Sequence, residues 1–264
     1  MKTGSFLKRA LVGALFAFLG QTINADGLLD CAQRPAASKH TVRTVIDGDT
    51  VILENRTHVR LAGINSPELG KKGVPAEPLA KQARDRLTAL VENKAVMVQS
   101  ALETRDHYGR TLAYLTLTNG QNVQETLVRE GLAVTVAVSP NTCELKSLQS
   151  AENMAKNQRR GVWANSYFSP REAKTLETRD TGFRFVKGTI QKISNNAKMI
   201  RLELDDQVVI GIPGKFWPLF SARPEDFLGK TVVVRGWLTH QDNDRLLMVI
   251  THPYMLSWLD VKSR

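Results

Sequence analysis

The sequence predicts an α+β fold: a five-stranded β-barrel with three helices, followed by a second unit built mainly from strands. Three observations point there. From His40 onward, short runs rich in Val, Ile, Thr and Leu alternate with Gly- and Asn-containing turns. Three other segments repeat their apolar residues at helical spacing. After residue 182 the short strands begin again.

The elements follow in order. "TVRTVI", "TVIL" and "HVRLAGI" form a meander of three strands, separated by the turns "DGD" and "ENR". "GKKGVPAEP", residues 70 to 78, is a basic loop punctuated by Gly and Pro. The helix after it shows Leu79, Ala83, Leu87, Leu90 and Val91 on one face. "AVMVQS" and "TLAYLTL" add two strands, with "ETRDHYGR" as the polar loop between them. "NVQETLVREG" is a short helix capped by Gly131. Leu145, Leu148, Ala151 and Ala155 mark a third helix, which ends at "RRGVW". Strands with segregated helices make an α+β domain over residues 26 to 163, and a small barrel is the natural closure for five short, curved strands.

Residues 164 to 182 read as a linker in which "SPREAKTLETR" forms a helix, with Ser169 as its cap and Pro170 at its first position. Over 183 to 264, "FRFVKGTIQKI", "KMIRLEL", "QVVIGIP", "KTVVVRGWLTH" and "RLLMVITH" restore the count of five strands, with "PLFSARPEDFLG" before the fourth. The pattern resembles an OB-fold, the five-stranded Greek-key barrel often used for nucleic acids or sugars. Lys187, Lys192, Arg201, Arg235 and Arg245 add positive charge there, and Phe216, Trp217 and Trp237 are candidates for stacking on bases. Core aromatics with a solvated charged face are the alternative.

Composition sets the broad class. Of 264 residues, 42% are hydrophobic and 23% charged, which is ordinary globular chemistry. In residues 1 to 25, Lys2, Lys8 and Arg9 precede an apolar run from Ala10 to Leu19, and "INA" ends on a small residue. This is the pattern of a secretory signal peptide. The run is about half the roughly 20 residues a spanning helix needs. No later segment is long and apolar enough to cross a bilayer, so the mature chain is expected without a membrane anchor, in a periplasm or outside the cell. Formal charge is +10, and the first 25 residues carry three cations and no acid, so their removal leaves +7. That sign favours polyanionic partners. Cys31 and Cys143 both fall in the exported part. An even count in an oxidising compartment allows one disulfide, with two free thiols as the alternative.

Asp49, Arg60, Asn65, Ser66 and Glu68 sit on or beside the ends of neighbouring early strands, and Arg110 opens a later one. If the barrel closes, these ends converge. Their chemistry suits attack on a phosphodiester: oxygen ligands for a hard divalent cation, two guanidiniums for phosphate oxygens, and a carboxylate to direct water. The sequence contains no Cys/His zinc spacing, Walker loop or Gly-x-Ser-x-Gly elbow.

"VIDGDTVIL", "RLAGINSPEL", "KKGV", "DHYGRTLAYL" and "ETLVREGLA", in this order over about residues 40 to 163, together resemble the staphylococcal nuclease (thermonuclease) family. The resemblance implies an OB-type barrel with three helices and a calcium-dependent nuclease acting on DNA and RNA, leaving 3′-phosphate and 5′-hydroxyl ends. It implies no protein partner. By resemblance, Asp49 is the metal-binding aspartate, Asp47 stands behind it, and Ser66 supplies a backbone carbonyl to Ca²⁺. Arg60 and Arg110 match the phosphate-binding arginines, Glu68 the general base, and Lys71 and Lys72 the basic loop against the nucleic acid.

Two departures stand out. Asn65 replaces a second metal-binding aspartate, which removes one negative charge from the site. In "LAVTVAVSPN", Ala137 and Ser139 replace tyrosines that contact the nucleotide. His107 is expected beside the site without a catalytic role, and Tyr108 is expected to pack. One alternative is a non-catalytic nucleic-acid-binding protein on a degenerate nuclease fold. Another keeps catalysis but changes the metal through Asn65, or restricts the substrate to single strands through the appended unit.

Overall fold

The computed structural model describes residues 31–70, 73–196, 198–241 and 245–259. The expected signal peptide and the basic pair Lys71 and Lys72 lie outside the described residues. Among the described residues, no helix is long and apolar enough to cross a membrane.

The first unit runs β1 (Ser38–Asp47), β2 (Thr50–Leu53), β3 (His58–Leu61), β4 (Ile64–Asn65), α1 (Ala80–Val91), β5 (Ala95–Arg105), β6 (Thr111–Leu117), α2 (Val123–Arg129), β7 (Val134–Thr135) and α3 (Leu145–Asn157). Five of these strands close a barrel in the order β1-β2-β3-β6-β5. β3 and β6 run parallel and the other neighbours antiparallel. Alternate residues point inward, as the two-residue period of a strand requires. Val42, Val51, Val59, Leu61, Val96, Val98 and Leu115 therefore form one core, joined by Leu87 of α1 and Leu127 of α2. Asn122 caps α2 by accepting a hydrogen bond from the Glu125 amide. Gly131, just past its end, takes the left-handed φ of 71°.

The second unit holds β8 (Arg171–Glu172), β9 (Gly182–Asn195), β10 (Met199–Leu204), β11 (Val208–Pro213), β12 (Thr231–Gln241), β13 (Arg245–Val249) and β14 (Leu256–Trp258). The sheet order is β14-β12-β13-β11-β10-β9-β8, and β12 also pairs with β9. That pairing runs from Thr231 opposite Thr189 to Leu238 opposite Gly182 and closes a second five-stranded ring. β11 and β13 are its parallel pair. Both barrels thus share one connectivity, first-second-third-fifth-fourth, with helical turns between the third and fourth strands. In the second barrel those turns are Gly214–Phe220 and Pro224–Phe227.

The structure corrects several sequence expectations. "SPREAKTLETR" forms no α-helix: Arg171 and Glu172 run as a parallel strand along Val186 and Lys187. Arg171 also pairs with Asp180, while Ala173 and Leu176 are buried in the second core. Burying those two side chains beside β9 outweighs the helical propensity of a short polar segment. The third strand ends at Leu61 instead of continuing to Ile64. Gly63 turns the chain with φ 79°, and Ile64–Asn65 pairs with Val134–Thr135. β5 extends to Arg105 through an irregular register with β6, so part of the expected polar loop is strand. Trp217 packs on Phe220 and Phe227 against the second core.

The two units are docked. The outer face of β9 and β12, where Phe185 sits opposite Arg235 and Phe183 opposite Trp237, meets the first unit. Val134, Val136, Ala137 and Val162 belong to the same apolar cluster as the second barrel's interior. Glu152 of α3, fully buried, accepts hydrogen bonds from Arg235, from Tyr254 and from the Thr135 amide. Cys31 and Cys143 are joined by a disulfide across a sequence separation of 112.

Candidate active site

A cleft of about 960 Å³ opens where the ends of the first barrel's strands meet the second barrel. Asp47, Asp49, Arg60, Asn65, Glu68 and Arg110 all line it. The Asp-Gly-Asp turn between β1 and β2 explains the local sequence. A Cβ on Gly48 would stand 2.6 Å from Ser66 Oγ and 2.7 Å from Ala83 Cβ. Only glycine lets the turn lie this close to Ser66 and to α1, which brings the aspartates to the following strands.

Asp49 is buried and anchored from several sides. Its Oδ2 accepts from the Ser66 amide at 2.8 Å and pairs with Arg60 Nη2 at 3.0 Å; its Oδ1 accepts from Thr50 Oγ1 at 3.3 Å. Asp47 accepts from the Asp49 amide at 3.0 Å. Burial and the neighbouring Asp49 charge push the Asp47 carboxyl above its ordinary pKa.

Arg60, on β3, is engaged by four oxygens. Nη1 donates to the carbonyls of Leu61 and Ile64, and Nη2 to Asn65 Oδ1 and Asp49. A phosphate oxygen must compete with Asp49 and Asn65 for Nη2. Asn65 bridges the pocket, since its oxygen accepts from Arg60 while its Nδ2 donates to the Ser66 carbonyl at 3.2 Å. An aspartate at this position has no hydrogen to give that carbonyl.

Asp49, Asn65 and the Ser66 carbonyl present oxygen donors only, the chemistry of a hard divalent cation. Among the described residues no group of three or more His, Cys, Asp or Glu gathers at metal-binding distance. A divalent cation at this place would use one amide oxygen and one carbonyl as well as Asp49.

Arg110 reaches the cleft from a tight turn that the sequence only partly revealed. Asp106 accepts from the amides of Tyr108 and Arg110 and from Arg110 Nε, the last at 2.7 Å. Gly109 closes the turn with φ 81°. Burial pushes the Asp106 carboxyl up, but the hydrogen bonds from Arg110 outweigh it and the pKa is lowered. Asp106 thus aims the guanidinium, a role legible only as the aspartate three residues before a glycine. Tyr108, expected to pack, is instead 74% exposed and lies against Arg110 at 5.4 Å from the ring centroid. It is carried at the tip of a turn, where no second layer covers it.

Glu68 lies on the loop after β4. Its amide donates to Glu77 Oε2 and its carbonyl accepts from the Glu77 amide, both at 2.9 Å. The other Glu77 oxygen pairs with Arg184 of β9 at 3.0 Å and accepts from Tyr167. The second barrel therefore helps fix the backbone that carries Glu68. Ala137 and Ser139 turn away toward that barrel, to Met255 and Thr251.

Comparison with known proteins identifies the family of the first unit. The family model described as staphylococcal nuclease homologue matches residues 58–165, ending before β9. The chain is 29% identical to a thermonuclease of Staphylococcus hyicus over 160 residues, covering 59% of this chain and 94% of that protein. It is 32% identical to a thermonuclease of Staphylococcus intermedius over 155 residues, covering 57% and 91%. To the endonuclease YncB of Bacillus subtilis (strain 168) it is 34% identical over 131 residues, covering 48% and 62%. With strand ends, arginines and acids ordered as described, the chain belongs to the staphylococcal nuclease family.

Proposed function

We propose that this protein is an exported, calcium-dependent nuclease that hydrolyses phosphodiester bonds of DNA and RNA, leaving 3′-phosphate and 5′-hydroxyl ends. The observation that carries this is the convergence of Asp49, Arg60, Glu68 and Arg110 on one cleft. Arg60 and Arg110 fork onto the oxygens of the scissile phosphate and meet the charge that builds on it. Glu68 orients or deprotonates the attacking water. Asp49, Asn65 and the Ser66 carbonyl would hold Ca²⁺, with Asp47 behind them; when bound, the ion supplies Lewis-acid polarisation of a phosphoryl oxygen. Lys71 and Lys72, outside the described residues, are assigned to the nucleic-acid backbone by the family resemblance alone.

Residues 26–163 form the catalytic domain in this proposal, 164–182 the connection and 183–264 the appended OB-like domain. The disulfide between Cys31 and Cys143 supports an oxidising destination, a periplasm or the exterior.

The test incubates the purified protein with single-stranded DNA, duplex DNA and RNA, in calcium or in chelator, beside an Arg110→Ala control. Calcium-dependent cleavage that disappears in the control is the expected result. Tight binding without cleavage in any divalent ion would mean a recognition module, and undiminished activity in Arg110→Ala would remove Arg110 from the mechanism.

A further inference from the structure

The wall of the cleft includes a side chain of the other barrel, Trp237 of β12. We propose that Trp237 is a nucleobase-stacking residue of this cleft, through which the second barrel selects unpaired, single-stranded nucleotides; this rests on the nuclease function proposed above.

Isolated exposed apolar side chains are ordinary on protein surfaces. Here four gather in one place: Ile46, Tyr108, Val138 and Trp237 are 45%, 74%, 41% and 37% exposed and all line the cleft. The same cleft carries the guanidiniums of Arg60 and Arg110. Cationic groups beside flat apolar surface complement a ligand that joins an anion to an aromatic ring, as a nucleotide does. In a duplex the faces of the bases are covered by their neighbours. An unpaired strand can offer each face to a protein ring, and such stacking is tolerant of sequence.

Trp237 is held in place before any ligand arrives. It meets its cross-strand neighbour Phe183 edge to face, with centroids 5.1 Å apart at 74°. Phe183 meets Phe185 at 5.8 Å, and Phe185 meets Trp163 at 5.6 Å. Two residues before Trp237, Arg235 is locked to the buried Glu152 of α3. The ring is thus fixed relative to the cleft through the contact between the barrels, so stacking on it costs little further ordering. Ala137 and Ser139 are committed to Met255 and Thr251, leaving Trp237 to supply aromatic surface that those positions do not.

The experiment compares the wild-type protein with Trp237→Ala and Trp237→Phe on a short oligothymidylate, alone and paired with its complement. The readouts are the ratio of kcat/KM on single strand to that on duplex, and the affinity for the single strand in chelator. Trp237→Ala is expected to lower both about tenfold, and Trp237→Phe to restore most of each. Equal losses on both substrates, or no loss, would overturn the proposal. Should the wild type cleave neither substrate, the nuclease function fails instead. The affinity arm then decides the stacking role alone: a weaker Trp237→Ala with recovery in Trp237→Phe supports it, and equal affinities overturn it.

Discussion

Arg235 of the second barrel places Nη1 2.8 and 2.9 Å from the two carboxylate oxygens of Glu152 on α3. The acid is fully buried and the arginine side chain 8% exposed. Tyr254 and Lys156 donate to the same carboxylate, and Arg235 lies over the Tyr254 ring at 4.3 Å. Glu152→Ala should therefore destabilise the protein by roughly 3–5 kcal/mol, because it leaves a buried guanidinium without its partner. Replacing both residues by methionine should cost much less. Urea denaturation at neutral pH measures both.

The same carboxylate makes stability depend on acid. Burial pushes its pKa up, but Arg235, Lys156 and Tyr254 outweigh burial and hold it below the ordinary glutamate value. A lowered folded pKa contributes stability that is present above the unfolded value and lost as pH falls through the folded one. Unfolding free energy should thus decline as pH drops below the ordinary glutamate range. Glu152→Gln should show a shallower decline in denaturation series run from neutral to acid pH.

Arg110 and Asp106 should separate in kinetics. Arg110→Ala removes a proposed donor to the phosphate and should lower kcat/KM about 10³-fold. Asp106→Asn keeps an acceptor for the turn amides but loses the charged grip on Arg110 Nε, so a loss of about tenfold is expected. Single-turnover cleavage of a labelled oligonucleotide measures both; a larger loss in Asp106→Asn than in Arg110→Ala would mean that Asp106 acts in more than aiming Arg110.

Asn65→Asp restores a charge to the proposed cation site and removes the hydrogen bond from Nδ2 to the Ser66 carbonyl. Calcium affinity should rise about tenfold, while the calcium-free protein becomes less stable. Thermal melts across a calcium titration read both effects, since an ion that binds the folded state raises Tm with concentration.

Gly48→Ala tests the close approach behind the aspartate turn. The new methyl group would sit inside contact distance of Ser66 and Ala83, so α1 or the Ser66 backbone must move. A loss of about 1–3 kcal/mol is expected, with a disproportionate fall in kcat because Asp49 is held by the Ser66 amide. A change in stability with unaltered kcat would show that the turn adjusts without moving Asp49.

Local signals made much of the first barrel legible. Strand alternation, the helical faces of α1 and α3, and the Gly131 cap depend on neighbours a few residues apart, as do the turns that carry Asp49 and Arg110. The ordered motifs also named the residues that the cleft gathers. Where tertiary pairing offered more burial, those signals failed. Ile64–Asn65 left the third strand to pair with β7, and Arg171–Glu172 left a helical pattern to pair with β9.

By itself, then, the sequence determined two sets of five strands, the family and the acids and arginines that line one cleft, because each is written in short-range periodicity or motif order. Only the tertiary structure decided that Glu152 and Arg235, 83 residues apart, form a buried pair, that Glu77 links Glu68 to Arg184, and that Trp237 reaches the cleft of the first barrel. Those relations follow from which outer faces of two barrels meet. That choice is set by summed burial and charge pairing across the interface, which no local pattern encodes.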